Sequence, residues 1–80
     1  MRVTVKLLTS MQKYHPTPES GEDSCDITLG TKATVKTLLK KLQIPDDLPK
    51  TVLVNRLFAE YGKALKEGDV ISLLQPISGG

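Results

Sequence analysis

Side chains that carry chemistry are scarce in this sequence: of 80 residues, one is cysteine, one histidine, none tryptophan, and two Tyr and one Phe make up the aromatics. A lone cysteine, Cys25, closes no internal disulfide, so the core must hold the fold together, as expected in a reducing cytoplasm. Neither His15 nor Cys25 has the spaced companions that a metal centre takes. His15 precedes a proline in a polar stretch and reads as an exposed loop residue. Cys25 opens a strand-like segment and reads as a half-buried small side chain rather than a nucleophile. No phosphate-cradling glycine loop and no dinucleotide fingerprint is present. Asp46 and Asp47, set between Pro45 and Pro49, read as turn chemistry rather than as an acid–base pair. This is a poor set of parts for a stand-alone enzyme.

Long apolar runs are missing as well, so no segment is suited to span a membrane. The opening Met1-Arg2-Val3-Thr4-Val5-Lys6 places a polar residue at every second position, where a secretion signal needs an unbroken apolar stretch. Charge of one sign is not in excess: 11 Lys and Arg face 9 Asp and Glu, for a formal net charge of +2. Lys32, Lys36, Lys40 and Lys41 form the densest cluster and read as the wet face of a helix. With so few aromatics to stack on bases, no nucleic-acid partner is expected. A chain of this length has surface-to-volume room for one core, hence one domain over residues 1–80.

Apolar periodicity organises that domain. Val3, Val5 and Leu7 alternate with Arg2, Thr4 and Lys6, the pattern of a half-buried strand. Residues 10–24 hold Pro16, Pro18, Ser20 and Gly21 and read as a loop, with Met11 and Tyr14 able to pack at its start. Cys25 to Leu29 alternates again and pairs back on the first strand. Val35, Leu38, Leu39 and Leu42 then fall on one helical stripe of about three turns. Thr34 is placed to cap its start and Pro45 to stop it. Asp46 to Lys50 is a connector. Thr51 to Asn55 is a nearly continuous apolar strand, Asn55-Arg56 a turn, and Leu57 to Ala59 a short edge strand, with Phe58 either exposed or capping the core. Gly68 serves a turn that needs positive φ, and Val70 to Gln75 is the last strand. The order β-β-α-β-β-β predicts an α+β fold, a mixed sheet of four to five strands around one helix. A right-handed crossover predicts the first and third strands parallel and near each other.

The end of the chain is the informative part. A strand runs into Pro76-Ile77-Ser78-Gly79-Gly80, a flexible tail over residues 77–80. A carboxylate becomes an electrophile once it is activated, for example as an acyl-adenylate. Two terminal residues without side chains can thread a narrow channel to an activating site and take backbone angles closed to other residues.

Ala33-Thr34-Val35, Leu42-Gln43-Ile44-Pro45, Val54-Asn55, Leu65-Lys66-Glu67-Gly68-Asp69 and Pro76-Ile77-Ser78-Gly79-Gly80 together resemble the MoaD/ThiS family of ubiquitin-like sulfur carriers. The resemblance implies the β-grasp fold and a protein co-substrate rather than an enzyme. It also implies that an E1-like adenylyltransferase, using ATP and Mg²⁺, adenylates Gly80. A sulfur donor protein then displaces AMP, leaving a thiocarboxylate. The domain itself binds no cofactor. The acceptor would be the large subunit of molybdopterin synthase or thiazole synthase, and the tail is closer to the molybdopterin branch. A ubiquitin-like modifier conjugated through Gly80 is the alternative chemistry. Positions matching the family's docking patch are Leu8, Phe58 and Leu74; strand alternation puts Leu8 and Leu74 on the sheet's outer face, and Phe58, if it is exposed on the short strand after the turn, joins them there.

Overall fold

The computed structural model describes residues 1–16, 23–45 and 51–75. The connector Asp46 to Lys50, part of the 10–24 loop and the tail Pro76 to Gly80 lie outside the described residues. Among the described residues, five strands, β1 (Arg2–Leu7), β2 (Ser24–Thr28), β3 (Thr51–Val54), β4 (Leu57–Phe58) and β5 (Val70–Leu74), and one α-helix, α1 (Val35–Lys41), form the fold. The sheet order is β2-β1-β5-β3-β4. β1 lies antiparallel to β2 and parallel to β5, while β3 lies antiparallel to both β5 and β4.

This topology corrects the expected crossover. The helix follows β2, so the crossover joins β2 to β3, and these two run parallel with β1 and β5 between them. β1 and β3 are antiparallel, separated by β5. The right-handed rule governs β2 and β3, because the strand before the helix, not the first strand, starts the crossover.

The core fills the space between one sheet face and the helix. Val3, Val5, Leu7, Val52, Val54, Ile71 and Leu73 point inward from the strands, against Val35, Leu38, Leu39 and Leu42. Both ends of the helix are closed by identifiable bonds. Thr34 and Thr37 form a reciprocal capping box: the Thr37 N–H donates to the Thr34 hydroxyl (3.4 Å), and the Thr34 N–H donates to the Thr37 hydroxyl (3.1 Å). The next orphan donors, Val35 and Lys36 N–H, reach the carbonyls of Lys63 and Tyr61 at 3.0 and 2.9 Å. The 7-residue helix is about two turns rather than three. It ends before Pro45 can act, because Gln43 takes φ 60°. The Ile44 N–H then reaches the Leu39 carbonyl and the Gln43 N–H that of Lys40, a Schellman closure with buried Ile44 and Leu39.

Two further expectations need correction. Thr9–Tyr14, which includes the start of the expected 10–24 loop, is a 3₁₀ helix that folds fully buried Met11 under the sheet. His15 is buried at 6% exposure rather than exposed, with its Nε2 2.9 Å from the Ser24 carbonyl. Despite its polar neighbours in sequence, His15 is carried by the helical turn back onto the start of β2.

Candidate docking surface

Alternation along the strands leaves one sheet face uncovered by the helix. Residues directly opposite across a ladder share a face, so the registers Leu53↔Phe58, Leu53↔Ser72 and Thr51↔Leu74 line up one outer row. Leu8 follows β1 at the same level as Leu74, its N–H donating to the Leu73 carbonyl at 2.9 Å. Leu8 and Leu74 are half-buried, and Phe58 is 83% exposed. Phe58 therefore does not cap the core. The three positions expected from the sequence fall on one face, with Leu8 and Leu74 at the end where the chain continues toward Pro76. Half-buried Leu53 lies between β5 and Phe58 and was not singled out. Its signal was available: with Val52 and Val54 inward, a period of two sends Leu53 out.

The β3–β4 hairpin aims Phe58. Asn55 and Arg56 take φ 52° and 74°, the two positive values of a type I′ turn. Asn55 fastens this turn to the start of β5. Its backbone N–H reaches the Val70 carbonyl (2.8 Å), its side-chain oxygen accepts from the Val70 N–H (3.0 Å), and its amide donates to Asp69 (2.9 Å). Asp69 is 8% exposed and accepts a second bond from the Lys66 N–H at 2.8 Å, so each oxygen of this buried carboxylate has a donor. Gly68, at φ 84°, makes the bend that delivers Asp69. On the helix side of the same hairpin, Leu57 is 73% exposed beside an open cleft of about 480 Å³ reaching Lys63 and Asp69.

Among the described residues no group of His, Cys, Asp or Glu is arranged to hold a metal ion, and no helix is long and apolar enough to cross a membrane. Cys25 is half-buried on β2. Burial pushes its thiol above the usual range, and the Asp26 carboxylate adds to the shift, the reverse of an activated nucleophile. What the described residues offer is a presenting surface.

The ThiS family model matches residues 15–80. SAMP1 from Haloferax volcanii has the same fold, with a TM-score of 0.76 at 23% identity over 100% of both chains. The thiamine biosynthesis protein ThiS from Geobacter metallireducens gives 0.64 at 21% identity over 100% of both. A chain in the complex of subunits 1 and 2 of molybdopterin-converting factor from Helicobacter pylori gives 0.65 at 27%, again over 100% of both. No curated protein matches by sequence. The family match runs through the last residue, and the fold is the ubiquitin-like β-grasp: the chain belongs to the ThiS family of small sulfur carriers.

Proposed function

We propose that this protein carries sulfur on the main-chain carboxylate of Gly80 and delivers it in molybdopterin biosynthesis. The observation that carries the reading is the family match, which extends to Gly80 itself, on a chain poor in reactive side chains. In this scheme an E1-like adenylyltransferase, using ATP and Mg²⁺, joins the Gly80 carboxylate to the α-phosphate and releases pyrophosphate. Hydrosulfide supplied by a donor protein attacks the acyl carbon, AMP leaves, and a thiocarboxylate remains. Leu8, Phe58 and Leu74 then dock on the activating enzyme and on the acceptor synthase, while Pro76, Ile77, Ser78 and Gly79 thread Gly80 into each active site. The chain would act as the small subunit of a two-subunit synthase. The Pro-Ile-Ser-Gly-Gly ending and the likeness to a chain of the Helicobacter molybdopterin-converting factor complex support that branch.

Intact-mass measurement after incubation with an E1-like enzyme, MgATP and a sulfur donor tests the chemistry. The expected result is a mass gain equal to the difference between sulfur and oxygen, abolished by deleting Gly80. An unchanged mass in the intact chain overturns it. High-mass lysine conjugates that vanish when Gly79 and Gly80 are deleted would instead make the protein a modifier. Sulfur transfer to thiazole synthase, but not to a molybdopterin synthase large subunit, would move it to the thiamine branch.

A further inference from the structure

The outer face also carries a cationic cleft. Lys6, Asn55, Arg56, Val70 and Ser72 line a depression of about 320 Å³ beside the Leu53–Phe58 row. Lys6 and Ser72 are opposite one another on β1 and β5, and Val70 forms part of the floor. Asn55 spends its amide on Asp69 and Val70, which leaves Lys6, Arg56 and the Ser72 hydroxyl as the groups that can receive a ligand. Among the described residues the one ion pair is Arg2–Asp26 (3.4 Å), so no described carboxylate lies within ion-pair distance of Lys6 or Arg56. Arg56 also stands at φ 74°, where glycine fits the turn without strain. An arginine kept at that cost suits a turn whose side chain has a task.

We propose that Lys6 and Arg56 clamp a carboxylate of the docking partner, so that the surface this face accepts is a protein segment presenting an Asp or Glu next to an apolar side chain. Arginine holds a carboxylate bidentately and lysine adds a point charge, while Phe58 and Leu53 take the apolar neighbour. The inference rests on the outer face being the docking surface. The exposed lysines of α1, on the helix side of the sheet, serve as the internal control.

The probe is an acetylated, amidated Leu-Glu-Phe-Glu peptide titrated at low salt into the ¹⁵N-labelled full chain. Saturable shifts are expected at Lys6, Arg56, Val70 and Ser72, and they should be lost in Lys6→Glu and in Arg56→Gly. The glycine variant relieves the turn, so it should melt no lower than the parent, and its loss of binding cannot be blamed on unfolding. Shifts confined to Lys36 and Lys40, unchanged binding in both variants, or no saturable binding overturn the clamp. With an activating enzyme that thiocarboxylates the parent chain, Arg56→Gly should raise KM about tenfold with kcat retained. An unchanged KM there refutes the clamp and leaves the sulfur-carrier reading intact. A parent chain that is never thiocarboxylated refutes that reading, and the peptide titration still decides the clamp.

Discussion

Single residues in this fold hold conformations that a stability-driven choice would avoid. Gln43 closes α1 in the left-handed region at φ 60°, where a Cβ is strained and glycine is not. Gln43→Gly keeps the Schellman bonds and is expected to raise unfolding free energy by about 1 kcal/mol. Urea denaturation measures this, and a lower midpoint would show that the glutamine side chain contributes contacts worth more than the strain. Cys25 provides the pH-dependent case. Its folded thiol titrates above the unfolded one, first from burial and then from Asp26. A proton held more tightly in the folded state stabilises fully below the unfolded thiol's pKa, and that contribution is lost as pH rises through the folded value. Because the thiolate is the reacting species, iodoacetamide should modify native Cys25 more slowly at neutral pH than in the urea-unfolded chain. The gap should close at alkaline pH. Equal rates at neutrality would contradict the assignment.

At the scale of elements, the stripe of Val35, Leu38, Leu39 and Leu42 and the alternation of Val3, Val5 and Leu7 were legible because each follows the geometry of its own backbone. The Thr34 cap, the Asn55-Arg56 turn and the Gly68 bend were legible for the same local reason. What was not legible depends on distant partners. The 3₁₀ turn under Met11 exists because the sheet and helix leave a pocket for that side chain, and the burial of His15 follows from it. The Asn55–Asp69 bond joins residues 14 apart, which no local pattern announces. Asn55→Ala should therefore cost about 1–3 kcal/mol, since it strips one donor from a buried carboxylate and one acceptor from the Val70 N–H. A melt within error of the parent would mean that water replaces both bonds. The candidate face was half legible: alternation placed Leu8 and Leu74, while Leu53, inside an apolar run, is placed by the same period only once Val52 and Val54 are assigned to the core.

For the molecule as a whole, the core and the proposed docking surface lie on opposite faces of one sheet, so folding and docking should separate under mutation. Phe58→Asp removes a side chain that the fold leaves 83% exposed and should not shift the melting temperature. Leu74→Asp, at a half-buried position, should lower it modestly, because full burial of such a side chain is worth about 1.5–3 kcal/mol. Both should raise KM for thiocarboxylation by the activating enzyme with little change in kcat. If Phe58→Asp unfolds the protein, or leaves KM untouched, docking through this face is wrong.

The place of β5 in the sheet bears on how the tail can be handled. It is a central strand, paired with β1 on one side and β3 on the other, and the chain leaves it directly for the terminal glycines. A pull on that end is therefore resisted in shear, with the ladders to both neighbours loaded at once. From an edge strand, the same pull would peel hydrogen bonds away one by one. In the proposed scheme, an enzyme that draws residues 76–80 taut into its channel pulls against a fixed anchor.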